Sequence, residues 1–178
     1  MIEGARRKQF QGGLMLLLCW LVLLFVRLLP ITGGLSGWPG ADLGLCLLLV
    51  WVLRRPDQLP ALLVVFLVLV EDVMLLRPPG LWSLFVLIGS EAARRREARW
   101  RDLPFMVEWL RVSILIAAMM LGYRVVQMLF LLPVPALGQV MLHLIATVAS
   151  YPLVVLAARW LAGLRHATWD EARMMRQL

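Results

Sequence analysis

The stretch LGLCLLLVWVLRRPDQLPALLVVFLVLVEDVMLLRPPG, residues 43–80, decides the fold. It contains two apolar runs, residues 43–53 and 59–76, joined by a short connection that carries Arg54 and Arg55. About 20 apolar residues in a helix span the hydrocarbon core of a bilayer. Basic residues between two such runs are typical of a loop on the cytoplasmic side. The stretch therefore predicts two membrane helices that are joined at the cytoplasmic face.

The composition of the whole chain indicates an integral membrane protein. Of its 178 residues, 62% are hydrophobic, and the mean hydropathy is +0.84. A soluble domain is typically about 45–50% apolar. The net charge of +7 comes from basic residues that cluster in short connections between apolar runs. This distribution favours contact with membrane lipid and argues against nucleic acid as a partner.

Four further apolar runs extend the prediction to six spans. The first run follows three basic residues near the amino terminus, and no small-residue cleavage site follows it closely. We therefore expect this run to be retained as a membrane helix and not removed as a signal peptide. Prolines and glycines in the connections predict turns between the spans. The four runs are residues 13–29, 81–93, 104–132 and 136–163.

The distribution of arginine and lysine predicts the topology. Basic residues occur before the first span, after the second, after the fourth and after the sixth. The alternate connections carry almost none, with Arg77 as the exception. Because cytoplasmic loops of membrane proteins carry an excess of Lys and Arg, this alternation predicts six spans with both termini in the cytoplasm.

The carboxyl-terminal tail forms a second, smaller unit. We expect residues 1–163 to form the transmembrane domain and residues 164–178 to form a cytoplasmic amphipathic tail. Thr168 and Glu171 have the spacing of a capping box, in which each side chain caps a backbone N–H at the start of a helix. The tail helix would lie at the inner membrane surface, either as an interfacial face or as a partner site.

Ionisable residues within the predicted spans are the candidate functional residues. Glu71 and Asp72 in the third span, Arg124 in the fifth and His143 in the sixth lie roughly 8–12 Å below the outer ends at about 1.5 Å per residue. Adjacent helical residues point about 100° apart, so Glu71 and Asp72 cannot both face one partner. We expect one of the two carboxylates to pair with Arg124, because an unpaired charge within a bilayer is costly.

The second carboxylate would face the outer interface or a neighbouring protein. Three roles remain open for the group: an ion pair that fixes helix packing, a partner interface, or a path for ions or protons. The candidate buried polar cluster or partner interface consists of Glu71, Asp72, Arg124, His143, Arg77, Arg27 and Asp42.

The sequence contains no recognisable catalytic or metal-binding pattern. It lacks the His-Glu-x-x-His, Gly-x-Ser-x-Gly, Walker A and Gly-x-Gly-x-x-Gly motifs. Cys19 and Cys46 lie in apolar runs, where a lone thiol packs as a small apolar side chain. His143 has no further His or Cys at its depth to complete a metal site. We therefore expect a protein that is not an enzyme and that has no cofactor, catalytic residue or metal site.

Motifs in residues 28–96 resemble those of the rod shape-determining protein MreD of proteobacteria. Glu91 before the arginine run adds to the resemblance, in which Ala41 stands where the family typically has proline. The resemblance covers about 40% of the chain, while the fifth and sixth spans agree in size and hydropathy only. The motifs are Trp38-Pro39-Gly40-Ala41-Asp42-Leu43, Trp51-Val52-Leu53-Arg54-Arg55-Pro56-Asp57, and Glu71-Asp72 followed by Arg77-Pro78-Pro79-Gly80-Leu81-Trp82.

The resemblance implies a non-enzymatic component of the bacterial cell-elongation complex, multi-pass in the inner membrane, that supports cell shape and peptidoglycan synthesis. It implies MreC as the partner, with RodA, the elongation transpeptidase and MreB in a larger complex. The family fold is similar to the substrate-binding subunits of energy-coupling-factor vitamin transporters. A small-molecule-binding subunit of a membrane transporter is therefore the alternative function.

Overall fold

The computed structural model describes residues 2–29, 40–100 and 104–162 of the chain. Within these ranges the secondary structure is entirely helical, with six α-helices and one 3₁₀ turn at Pro56–Gln58. The predicted all-α fold is confirmed, and the predicted tail, residues 164–178, lies outside the described residues. The helices are α1, Ile2–Leu28; α2, Leu43–Arg54; α3, Ala61–Met74; α4, Leu81–Trp100; α5, Phe105–Leu129; and α6, Leu137–Ala162.

Local turn chemistry ends α3 and α5 in the same way. Leu76 and Leu131 follow these helices in the left-handed conformation, each with φ of 53°. The N–H of Arg77 then donates to the carbonyl of Asp72 at 2.9 Å. The N–H of Leu132 donates to the carbonyl of Gln127 at the same distance. This is the Schellman arrangement, which satisfies the last carbonyls of a helix, and a proline follows each one.

Two helices of the described chain are long and apolar enough to span a membrane. They are Phe105–Leu129, with 25 residues and a mean hydropathy of 1.8, and Leu137–Trp160, with 24 residues and a mean hydropathy of 2.0. Only 17% of the most apolar window of α6 is buried within the protein. A helix that is apolar and unburied in water would be unstable, so this surface is suited to lipid.

The other apolar helices are shorter. α2 has 12 residues and α3 has 14, against the roughly 20 that span a bilayer core. α2 lies at the centre of the bundle, where every residue from Leu45 to Arg54 is buried. It packs on α1, α4 and α6, which explains why its sequence is apolar on all sides.

The contact between α4 and α5 depends on two glycines. A Cβ atom on Gly122 would lie 2.6 Å from Cε1 of Phe85, and a Cβ on Gly89 would collide with the Sδ of Met119. The side chain of Phe85 on α4 packs over Gly122 of α5, and the side chain of Met119 on α5 packs over Gly89 of α4. Such close approach through small residues is common between membrane helices.

The α3–α4 and α5–α6 connections lie at the end of the bundle that the basic residues predict to be outside. We call this the predicted outer end, and the opposite end the predicted inner end. The carboxyl ends of α3 and α5 and the amino ends of α4 and α6 lie at the predicted outer end. The turn after α3 places the candidate residues Glu71, Asp72 and Arg77 at this end of the bundle.

Candidate functional site

Arg27 joins three helices at the centre of the polar cluster. Its Nη1 lies 2.6 Å from Oε1 of Glu71 and 3.2 Å from Oδ1 of Asp42. Arg27 is in the last turn of α1, Asp42 is the N-cap of α2, and Glu71 is in the last turns of α3. The two carboxylates are almost fully buried. One arginine thus contacts two buried carboxylates and joins the ends of three helices.

Asp42 also connects α2 to α6. Its Oδ1 accepts the N–H of Leu45 at 3.1 Å, which caps the start of α2. Its own N–H donates to Oγ1 of Thr147 at 3.1 Å. One turn earlier on α6, Nδ1 of His143 lies 2.6 Å from the carbonyl oxygen of Gly40. Asp42 and His143 therefore position the start of α2 against the face of α6.

Asp72 stabilises the start of α4 from the neighbouring helix. Its Oδ2 accepts the hydroxyl of Ser83 at 2.9 Å and the backbone N–H groups of Ser83 and Gly80 at 3.3 and 3.1 Å. The first N–H groups of a helix have no partner within the helix and favour a negative charge. Asp72 supplies that charge across the tight α3–α4 connection.

These contacts confirm one prediction for the two carboxylates and contradict another. Glu71 and Asp72 do face different partners, Arg27 and the start of α4 respectively. The predicted pairing of either carboxylate with Arg124 is wrong. Nη1 of Arg124 donates instead to the carbonyl oxygen of Pro135 at 2.6 Å. The long arginine side chain extends to the α5–α6 connection, where a backbone acceptor and the interface are both within reach.

Arg77 lies beside the cluster and has an aromatic contact. Its guanidinium carbon is 5.8 Å from the centre of the Trp82 ring, a distance suited to a cation–π interaction. The Trp82 ring meets the Tyr123 ring edge-to-face at 5.3 Å. This stack connects the α3–α4 connection to α5.

A long cleft opens beside the polar cluster. Its volume is about 1680 Å³, and residues of all six helices or their ends line it. Apolar side chains of α1, α2 and α6 form most of its walls. Six of the seven predicted cluster residues line the cleft, while Asp72 is directed toward the start of α4. The six are Arg27, Asp42, Glu71, Arg77, Arg124 and His143.

A second buried ion pair lies toward the predicted inner end, and the sequence analysis missed it. Nη2 of Arg54 lies 3.5 Å from Oε1 of Glu108, and the hydroxyl of Tyr151 donates to the same oxygen at 3.0 Å. All three residues are buried. The sequence predicts Arg54 to lie in a connection on the cytoplasmic side, not in a buried pair. The apolar residues around Arg54 and the acidic residue in the first turn of α5 were the available signals.

The described polar groups of the site form ion pairs and helix caps, and two carboxylate oxygens remain without a donor among them. Asp42 Oδ2 and Asp72 Oδ1 are buried oxygens that accept no hydrogen bond from described residues. Among described residues, no group of three or more His, Cys, Asp or Glu side chains is placed to hold a metal ion. Cys19 and Cys46 are free thiols, and Cys46 donates to the carbonyl of Thr147 at 3.4 Å.

The fold and the site together define an all-helical protein with two helices suited to span a membrane, a charged cluster joining helix ends and an apolar cleft beside it. Comparison with protein-family models, with curated proteins and with solved structures finds no match.

Proposed function

We propose that this protein is a non-enzymatic, MreD-like membrane component that binds the membrane helix of MreC. The observation that carries the proposal is the cleft of about 1680 Å³ beside a cluster of paired charges. The paired charges hold the helix ends together. The cleft beside them offers an apolar surface for a partner.

The roles of the charged residues support binding over catalysis. Arg27 forms ion pairs with both Glu71 and Asp42, and Asp72 caps α4. Breaking a buried ion pair from one side costs about 3–5 kcal/mol in soluble proteins. Residues with this structural role are poorly placed to exchange partners during a reaction. The polar cluster therefore supports a scaffold that keeps the cleft in shape.

The membrane arrangement in the proposal has six spans with both termini in the cytoplasm of a bacterial inner membrane. The alternation of basic residues supports this topology. The shorter helices α2 and α3 would span with help from flanking arginines, whose side chains extend to the interface, and from local thinning of the bilayer.

The resemblance to MreD supplies the identity of the partners in this proposal. MreC is the direct partner, and RodA, the elongation transpeptidase and MreB would belong to the same larger complex. The protein would support cell shape and peptidoglycan synthesis by holding MreC in the membrane.

The cleft also favours a second candidate, the small-molecule-binding subunit of a transporter. Small-molecule sites are usually clefts of about 300–1,000 Å³ with a few convergent polar groups. The polar groups here fit that description, whereas the volume of about 1680 Å³ exceeds it. The size therefore ranks this candidate below a partner protein.

Copurification tests the proposal. The tagged protein and MreC from the same cell, expressed together and extracted in mild detergent, should elute as one complex. A transporter ATPase module expressed in place of MreC should not copurify. Retention of the ATPase module in place of MreC would instead establish the transporter function.

Purified protein with lipid-linked peptidoglycan precursors should give no turnover. Turnover that a point substitution abolishes would refute a non-enzymatic role.

A further inference from the structure

The cleft has two long walls that expose regularly spaced side chains. On α1 and just after its last residue, four exposed side chains line the cleft: Leu18, Val22, Val26 and Leu29. Their spacing of three and four residues places them along one face of the helix. Within residues 2–29, 40–100 and 104–162, nothing covers this face.

The wall formed by α6 has the same spacing and includes small residues. His143, Ser150, Leu153 and Ala157 line the cleft from this helix. Small residues such as Ser and Ala let a second helix approach closely in a membrane. The two walls therefore have the pattern of helix-packing surfaces.

The length of the cleft separates a membrane-spanning helix from a lipid. Its lining on α6 extends from Gln139 to Ala158, which is about 28 Å at 1.5 Å per residue. The hydrocarbon core of a bilayer is about 30 Å thick, so one lipid in one leaflet covers roughly half of that length. A spanning helix covers nearly all of it.

The charges near the predicted outer end point to an acidic group on the occupant. Arg77 and Arg124 line the cleft, and neither has a salt bridge within 4.0 Å to a carboxylate of the described chain. Arg77 lies close enough to Asp42 and Glu71 to stabilise their charges, so Arg124 is the main free cation among the described residues at this end of the cleft. Arg77 contacts the Trp82 ring and Arg124 contacts a backbone carbonyl, so both guanidinium groups keep further N–H donors. A carboxylate within the membrane is costly unless it is paired, and these arginines would pair with it.

A second copy of this chain fits the site poorly. The acidic side chains that the structure describes in the bundle are buried, except Glu91, whose side chain is 40% exposed near the predicted inner end. Glu71 and Asp72 lie at the depth of Arg124 but are buried, so a copy of the chain offers no exposed described carboxylate there.

We infer that the cleft binds one transmembrane helix of a different protein, and that this helix carries a carboxylate in its outer third that pairs with Arg124 and Arg77. The inference rests on the proposed function for the existence of a membrane partner. It adds the binding surface and the recognition chemistry.

A single-span peptide tests the inference without the natural partner. The peptide has about 20 Leu and Ala residues, one Trp at its centre and one Glu in its outer third, and the matched peptide has Gln in place of Glu. The protein carries a bimane fluorophore at position 153 in a Leu153→Cys variant that also has Cys19→Ala and Cys46→Ala. Tryptophan quenches bimane at contact distance. The control label uses Leu156→Cys, since Leu156 is exposed on α6 but does not line the cleft.

In bilayers of neutral lipid, the Glu peptide should quench the label at position 153 and not the label at position 156. It should bind at least about tenfold more tightly than the Gln peptide, a difference of about 1.4 kcal/mol. Arg124→Gln and Arg77→Gln should each reduce this preference, whereas Arg124→Lys should preserve most of it. Unchanged binding of the Gln peptide to the variants would show that they remain folded.

Equal affinity for the two peptides, or equal quenching at both positions, would overturn the inference. Quenching at position 153 by brominated phosphatidylglycerol that the peptide cannot displace would also overturn it and identify a lipid as the occupant. Quenching of the label at position 153 by an unlabelled second copy of the chain would also overturn the inference, because it would identify a homodimer. Copurification with MreC alongside failure of the peptide would remove the cleft assignment and leave the proposed function standing. Peptide binding without MreC copurification would support the cleft assignment and remove MreC as the partner.

Discussion

The hydrogen bond between Trp109 and the carbonyl of Val148 yields a sharp prediction about stability. Pro152 lies inside α6 and has no N–H, so Val148 loses the donor that the residue four positions later normally supplies. Nε1 of Trp109 on α5 donates to this carbonyl at 3.0 Å. The indole therefore replaces the missing backbone donor and joins α5 to α6.

Trp109→Phe removes the donor and keeps most of the ring. Interhelical hydrogen bonds in a membrane protein average about 0.6 kcal/mol with a maximum near 1.7. A buried carbonyl left without a partner costs about 1–3 kcal/mol. We therefore expect Trp109→Phe to lower the free energy of unfolding by about 1–2 kcal/mol.

Pro152→Ala provides the decisive comparison, because alanine returns a backbone donor to Val148. In a Pro152→Ala background, Trp109→Phe should cost about 1 kcal/mol less than in the natural background. Reversible unfolding in mixed micelles, followed by circular dichroism, measures the four free energies of the cycle. Trp160→Phe is the control, since Trp160 is 86% exposed, and it should change stability by less than about 0.5 kcal/mol. An equal cost of Trp109→Phe in both backgrounds would refute the role of the indole as a replacement donor.

Four further predictions concern the ion pairs, the helix contact and the topology. Arg54→Leu leaves Glu108 buried without its arginine and should cost about 3–5 kcal/mol in thermal unfolding, whereas exposed Arg55→Leu should cost less than about 0.5. Arg27→Gln should lower the melting temperature, and adding Glu71→Gln should restore part of the loss; no recovery would argue against their ion pair. Gly122→Ala should destabilise the bundle by collision with Phe85, while Gly138→Ala, with open space around it, should not. A reporter fused at Gly80 should give a periplasmic signal, and a cytoplasmic signal there would contradict the proposed topology.

The sequence was sufficient to predict six helices, because proline or glycine marks most of the connections between the apolar runs. The limits of two helices were wrong: α1 begins at Ile2 and α4 continues to Trp100, since charged residues that flank an apolar run can continue its helix. Proline and glycine end the third run after Arg77, and α3 indeed stops at Met74. The divergence of Glu71 and Asp72 was also predictable, since the helical repeat alone separates adjacent residues.

The partners of the charged residues were not predictable from depth. Depth places Arg124 and Glu71 at similar levels, but it does not give the direction in which each helix faces. The structure places Arg27 of α1 against Glu71, and Arg124 reaches a loop carbonyl. Arg54 was missed for a related reason, because a basic residue at the end of an apolar run is equally consistent with a loop and with a buried pair.

Photo-crosslinking in living cells tests the central claim most directly. A photoreactive amino acid replaces Val22, which lines the cleft, or Ile114, which lies on α5 outside it; the two side chains are 62% and 61% exposed. We predict that position 22 crosslinks to the membrane helix of MreC and that position 114 does not. Crosslinking of MreC from position 114 alone, or from neither position, would contradict the account.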